Sequence, residues 1–238
     1  MLSSAFRAIN AVFAVIVAVV VSMRFGESNV GKLVTVVITA GVVVLFEWLM
    51  VWSPKHWPTA RRLLDPRAVF AGVWLQQDVH AYGDSSGSTT HVEMIPNRFA
   101  VFSLEYDQSS DTYNVDGSAY DGRGEEHARW HSVDVVHFAK DGRSMTYMWE
   151  GTITSETLAL DDPRRTGFAR LTLASDDAGR GRVEHVALRV NLEFNLRRVT
   201  PAWLADQKLD AFTPDRLQEP DVRDKFAVAF ARSLHLEG

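Results

Sequence analysis

The chain holds few residues whose spacing could do covalent chemistry. Cysteine is absent, which removes disulfide and thiolate chemistry. No phosphate-binding G-x-x-x-x-G-K-[ST], zinc-binding H-E-x-x-H or nucleophilic G-x-S-x-G occurs. His127 and His131 stand four apart, the spacing of a metal pair on a helix, but their surroundings read as a strand. Four residues along a strand cover about 13 Å, too far for one ion. The carboxylate pairs Glu125–Glu126, Asp161–Asp162 and Asp176–Asp177 fall in Gly- and Asp-rich turns, where solvation accounts for them. Neither catalysis, a metal nor a cofactor is expected from these residues.

Groups that recognise rather than react are better represented. Gly72-Val73-Trp74 opens the β-rich part of the chain, and Arg198 closes its last strand on the same face as the apolar series Val186 to Leu196. An Arg in that register can stack on Trp74 and close the floor of a barrel; a one-residue slip would put it on the surface instead. With Trp74 facing inward, pleat alternation places Arg98 with Ala100, Phe102, Leu104 and Tyr106. Trp130 and Ser132 then lie with Val136 and Phe138, and Tyr147 and Trp149 with Met145 and Ile153. An apolar interior holding Arg98, Trp130, Ser132, Tyr147 and Trp149 suits a planar or phosphate-bearing small ligand. The alternative is a filled core with polar groups at its rims.

Those residues need a scaffold, and it begins in hydrocarbon. Ala5–Met23 and Leu33–Trp52 are two apolar runs joined by the short polar Arg24–Lys32. About 20 apolar residues span about 30 Å, the thickness of a bilayer core, so residues 1–52 read as a transmembrane helical hairpin. No A-x-A-like cleavage site follows the first run. Residues 53–67 form a basic junction, with Lys55, Arg61, Arg62 and Arg67 opposed only by Asp65; Pro54, Pro58 and Pro66 deny it a long helix. This heavier basic flank places both termini in the cytoplasm of a two-pass inner-membrane protein. Glu47 is the one ionisable residue deep in a span, where it either snorkels to the interface or serves oligomer contacts or a polar pore lining. Gly41, beside Thr39 and Ala40, lets helix backbones approach closely.

Residues 68–200 alternate β-branched and aromatic runs with clusters of Asp, Gly and Ser. The expected strands are Val69–Val79, Thr90–Met94, Arg98–Tyr106, Thr112–Tyr120, His127–Phe138, Ser144–Ile153, Phe168–Ser175 and Val183–Val199. Turns are expected at Gly83–Ser88, Asp121–Glu126, Lys140–Arg143 and Asp176–Arg182. Eight strands with one apolar and one wet face predict an antiparallel up-and-down barrel, with a two-layer sandwich as the other solution. Residues 201–238 turn helical: Ala202–Lys208 is short, and Asp221–Leu236 carries Val222, Phe226, Phe230 and Leu234 as one stripe. From Ala68 onward the chain has 18 basic and 27 acidic residues, a balance that excludes polymeric nucleic acid as a partner but not a small anion.

On Gly72, Trp74 and Arg198 the β region resembles lipocalin-like barrels. A two-helix hairpin followed directly by such a barrel resembles the two-transmembrane β-barrel effectors of bacterial cyclic-oligonucleotide antiphage systems (CBASS), over about Ala5–Val199. The resemblance implies a non-enzymatic antiviral receptor for a cyclic di- or trinucleotide. Ligand binding would assemble a homo-oligomer among membrane lipids, disrupt the inner membrane and kill the infected cell. The helices after Pro201 lie outside that pattern. Membrane-tethered carriage of lipids or other hydrophobic small molecules is the alternative from another class, and a ligandless structural subunit is a third.

The basic flank makes a direct prediction: a reporter fused after Gly238 is active in the cytoplasm, and activity on the far side of the membrane would invert the scheme.

Overall fold

The structure is a computed structural model; it describes all residues except 1–3, 26–28, 58–59, 62–64, 84–90, 95–97, 154–163, 186–189 and 237–238. Of the residues discussed above, Asp161, Asp162, Val186, Leu188 and the turn after Gly83 lie outside the described residues. The chain divides into two compact units, Met1–Asp65 and Pro66–Gly238.

The first unit is a pair of helices, α1 (Ser4–Phe25) and α2 (Asn29–His56). They pack through Phe13 and Phe46, stacked with centroids 4.3 Å apart. Within α2, Val30–Leu49 is long and apolar enough to cross a membrane, the one such stretch among the described residues. In α1 the apolar stretch among the described residues is Val12–Arg24. Large apolar side chains such as Ile16, Val20, Val36 and Val44 are exposed along both helices, which water does not favour. Pro54 does not stop α2. It falls in the last turn, where helix follows it for only two residues, and Trp57 N–H still reaches the Ser53 carbonyl at 2.8 Å. Trp48, Trp52 and His56 form a stacked column at this end, at 5.6 and 4.1 Å.

The second unit is a closed antiparallel barrel. As expected, eight strands form its ring; among the described residues there are ten strands in all: β1 (Gly72–Gly83), β2 (His91–Met94), β3 (Phe99–Asp107), β4 (Thr112–Tyr120), β5 (Glu126–Ser132), β6 (His137–Phe138), β7 (Ser144–Ile153), β8 (Arg164–Leu173), β9 (Ala178–His185) and β10 (Val190–Arg198). Eight of them form the ring, each beside its neighbour in sequence, and β1 pairs with β10 to close it. The short β2 and β6 only extend the edges of β1 and β7. The run expected as one strand over His127–Phe138 breaks into β5 and β6. The run Val183–Val199 is likewise two strands, the end of β9 and all of β10. Most of the expected turn Asp176–Arg182 is β9, because its inward positions are glycines: a Cβ on Gly181 would lie 2.1 Å from the Phe194 ring.

Two cores flank the same strands. Inside the ring, Trp74, Phe102, Leu104, Tyr113, Met145, Leu171 and Phe194 pack together. Outside it, Val73, Leu75, Phe99, Val101 and Tyr120 are covered by two helices, α3 (Pro201–Asp206) and α4 (Pro220–Leu236). This is why Phe99–Leu104 is buried on both faces rather than alternating. Thr200 caps α3 by accepting the Trp203 N–H at 3.1 Å. The buried stripe of α4 is centred on Arg223, Phe226, Ala227, Phe230 and Ala231, with Val222 and Leu234 at its margins. Arg223 is fully buried and reaches Asp116 Oδ2 at 2.8 Å, while Tyr120 donates to Asp224 at 2.7 Å.

The barrel floor is held by one cation. Trp74 faces Arg198 across the β1–β10 ladder, and the guanidinium lies 4.3 Å from the centre of the indole. Arg198 also donates to the carbonyls of Ala71 (2.6 Å), Val69 and Asp176 (2.9 Å), and meets Asp177 at 3.2 Å. It thereby ties the 3₁₀ turn Pro66–Phe70 beneath the ring, and Trp74 Nε1–H donates to Phe70 O at 2.7 Å. Gly72 is left-handed (φ +122°), and a Cβ there would lie 3.0 Å from the Arg198 guanidinium.

Trp74→Ala should therefore cost about 3–5 kcal/mol, and Arg198→Ala less. In denaturant unfolding the two losses should be non-additive in a double-mutant cycle; strict additivity would deny the stacking.

Candidate ligand-binding cavity

Above that floor the interior is not filled. A cavity of about 320 Å³ opens between β1, β3, β4, β5, β7, β8, β9 and β10. Its level is set by register: Gln76, Ala100, Ala119, Ala128 and Ile153 form one row across five neighbouring strands, two residues or more beyond the Trp74 level. Small residues in this row leave space that aromatic rings partly take up. Trp130 lies between Gly117 and Gly151 on its two neighbouring strands, and Trp149 beside Gly167. A Cβ at Gly117 would come within 2.6 Å of the Trp130 ring, and one at Gly167 within 2.7 Å of the Trp149 ring. Both indoles thus lie against glycine backbones, and both line the cavity.

Four of the five residues expected to face a ligand line this cavity together: Arg98, Trp130, Tyr147 and Trp149. Ser132 does not. It sits at the end of β5, where the ladder to β4 has ended at His131, and its hydroxyl accepts the Val115 N–H at 3.0 Å in place of a strand carbonyl. Trp130 donates to the Tyr147 hydroxyl, and burial pushes that phenol well above its ordinary range. Trp149 Nε1 is buried and has no hydrogen-bond partner. Of the floor residues, Gly72, Trp74 and Arg198 meet each other as described, away from the cavity lining. Glu47 and Gly41 belong to α2. Both are exposed, and a Cβ at Gly41 would meet nothing within 4 Å.

Three lining residues escape the sequence pattern. His127 is the extra residue of a β-bulge: Ala119 pairs with Ala128 while Tyr120 pairs with Glu126, so no residue of β4 opposes it. The bulge turns His127 to the same side as Trp130, which strict alternation forbids. Arg165 lies at the start of β8, four and two residues before Ala169 and Gly167 on the inward face. Carrying the alternation of Leu173, Leu171 and Ala169 backward finds it. His185 ends β9, the strand concealed by glycines; its ring meets Trp149 edge-on with centroids 4.9 Å apart.

The electrostatics of the lining are one-sided. Among its described residues there is no Asp or Glu. Arg98 and Arg165 both line the cavity, Arg165 donating from one guanidinium nitrogen to the Arg164 carbonyl at 2.6 Å, and each acts on one histidine. Burial, then Arg98, holds His127 far below its ordinary value, at about 4, against a weaker opposing pull from Asp121. Burial, then Arg165, lowers His185. Both imidazoles are neutral at pH 7, and each has a buried Nδ1 without a hydrogen-bond partner. A third guanidinium, Arg129, is already held by Glu126 at 2.6 Å. No group of three or more potential metal ligands occurs among the described residues.

No family model matches the chain, and no curated protein matches it. Among solved structures, the barrel is similar to a redesigned β-barrel, at 15% identity over 56% of this chain and 95% of that one, with a TM-score of 0.36. It is also similar to the tryptamine complex of the amine-binding protein of Rhodnius prolixus, at 15% identity over 61% and 75% of the two chains, TM-score 0.37. A third is a Trp-176-Ala mutant of the vaccine antigen Transferrin Binding Protein B from Haemophilus parasuis, at 11% identity over 53% and 26%, TM-score 0.33.

The depressed histidine sets a pH dependence. Unfolded His127 binds its proton near pH 6.5 and the folded form only near 4, so the unfolded chain takes up more protons between those values. The contribution is full above about pH 6.5 and is lost as pH falls toward 4. Denaturation midpoints should fall across this window, and His127→Gln should flatten the slope. An unchanged slope in the variant would mean that His127 is not buried neutral.

Proposed function

We propose that the chain is a membrane-tethered receptor whose barrel binds an anionic, ring-bearing small molecule, a cyclic di- or trinucleotide, and whose hairpin carries the response into the inner membrane. The observation that carries this reading is the lining: inward arginines, neutral histidines and two indole faces, with no carboxylate among the described residues. Guanidinium forks match phosphate oxygens two at a time, and indoles stack on nucleobases. A volume of about 320 Å³ is at the small end of ligand sites, enough for part of such a ligand, with the remainder at the mouth.

The membrane half rests on different residues. Val30–Leu49 crosses a bilayer on this reading, α1 returns beside it, and the Trp48–Trp52–His56 column sits at the headgroup layer. With the basic flank inside, the barrel is cytoplasmic. Assembly of several hairpins, with Gly41 allowing close approach, would bring Glu47 carboxylates together in a low dielectric, and their repulsion draws water into the bilayer. The ligand drives this only if it binds the assembled state more tightly than the monomer. The outcome is an antiphage effector that permeabilises the membrane of an infected cell, with no catalytic step. Carriage of an amphipathic acid is the second reading, favoured by the apolar part of the wall at Ala100, Ile153, Val183 and Leu192.

Arg98→Ala should abolish nucleotide-triggered growth arrest while the chain remains folded. Glu47→Ala should preserve nucleotide binding and reduce dye entry through the inner membrane. If the full chain in nanodiscs gives no calorimetric binding with any cyclic di- or trinucleotide, the receptor reading falls and the carrier stands.

A further inference from the structure

The polar lining is divided between two sides of the ring. Arg98 precedes β3 and His127 lies on β5; Arg165 is the second residue of β8 and His185 ends β9. Between these two sets runs β7 with Tyr147 and Trp149, and Trp130 of β5 lies beside it. The register fixes the order. Trp130 pairs with Gly151, and Gly151 pairs with Arg165; Trp149 pairs with Gly167, and Gly167 pairs with His185. Each side therefore offers a guanidinium and an imidazole, and the aromatic wall separates them. The buried Nδ1 atoms of His127 and His185 and the Nε1–H of Trp149 have no hydrogen-bond partner among the described residues. Buried polar atoms in folded proteins nearly always have one, so three of them around one cavity point to a polar ligand.

We propose that the cavity is a two-armed anion site, Arg98 with His127 on one arm and Arg165 with His185 on the other, which takes two phosphate groups flanking a flat ring system. This rests on the receptor reading above and narrows it: a ligand with one phosphate fills only one arm. A phosphate near either histidine favours its protonated form, which then donates where the neutral ring had no partner. His127 is faced by Arg98 from before β3 and by Asp121 from the turn before β5; His185 is faced by Arg165 of β8 and by the Trp149 ring of β7. The arginines oppose protonation in the free protein, and a bound phosphate offsets them. Binding consequently takes up protons, and affinity rises as pH falls.

The test is calorimetry on the full chain in phosphatidylcholine nanodiscs, which supply no net-anionic headgroup, with cyclic di-AMP and cyclic AMP as probes. The two-phosphate probe should bind at least about tenfold more tightly. Arg98→Gln and Arg165→Gln should each weaken it by at least about tenfold, while cyclic AMP loses affinity in only one of the two variants. Between pH 8 and pH 6 the affinity for cyclic di-AMP should rise, with less of a rise in His127→Gln and His185→Gln. Retained circular dichroism in each variant separates lost binding from lost fold. If neither probe nor any other cyclic di- or trinucleotide binds the parent chain, the receptor reading itself fails. If cyclic di-AMP binds and Arg165→Gln leaves its affinity unchanged, the second arm is refuted while the receptor reading survives. Displacement of the probe by vesicles bearing phosphatidic acid, with no difference between the cyclic nucleotides, would assign the arms to a lipid headgroup and overturn the proposal.

Discussion

The pairing of β1 with β10 is the constraint on which the barrel depends. A β-sheet with free edges would present unpaired N–H and C=O groups; here the first and last ring strands consume each other's edge. The closure brings Trp74 opposite Arg198, so the chain's main long-range pairing and its floor are one interaction. Arg198 satisfies three backbone carbonyls of the segments that cross this end, and a guanidinium is suited to that because its donors form a planar fork. With the floor sealed and packed, the strands can widen away from it. What lies beyond the Trp74 level is a space whose walls are set by register.

The C-terminal helices make that space affordable in a second way. By burying Val73, Leu75, Phe99, Val101 and Tyr120 from the outside, α4 gives β1, β3 and β4 a core that does not draw on the interior. The ion pair of Arg223 with Asp116 and the bond of Tyr120 to Asp224 fix the helix in register on those strands. The interior can then carry groups poor at packing, such as Arg98, Arg165 and two neutral histidines, at less cost to the fold. A cavity lined by cations and indoles is a weak core but a selective site, because desolvated charges discriminate sharply between ligands of opposite sign.

Much of this was legible in the residues. The period-two pattern gave a closed antiparallel barrel, and the face shared by Leu192, Phe194, Leu196 and Arg198 located the partner of Trp74. Arg98, Trp130, Tyr147 and Trp149 followed from the same alternation. The failures have physical causes. Alternation has no means of anticipating the bulge that turns His127 inward. Glycines at 179 and 181 carry no hydrophobic signal, although they are inward positions that leave room for Leu173 and for Phe194 and Leu171, so β9 reads as a turn and His185 is lost with it. Arg165 was missed because its strand appeared to begin at Phe168. Ser132 was placed by alternation on the correct strand, but a hydroxyl at a strand end is recruited by the nearest orphan amide, here that of Val115. Pro54 falls in the last turn of α2, and the helix runs only two residues past it.

Sign of charge is the central claim, and it is measurable without knowing the ligand. A matched pair of flat probes, naphthalene sulfonate and naphthylmethylammonium, can be titrated into the full chain in phosphatidylcholine nanodiscs, with quenching of tryptophan emission read against the Trp130→Phe variant. The cavity described here binds the anion at least about tenfold more tightly, and the quenching diminishes in the variant. Equal affinity, or preference for the cation, would contradict an anion-selective cavity.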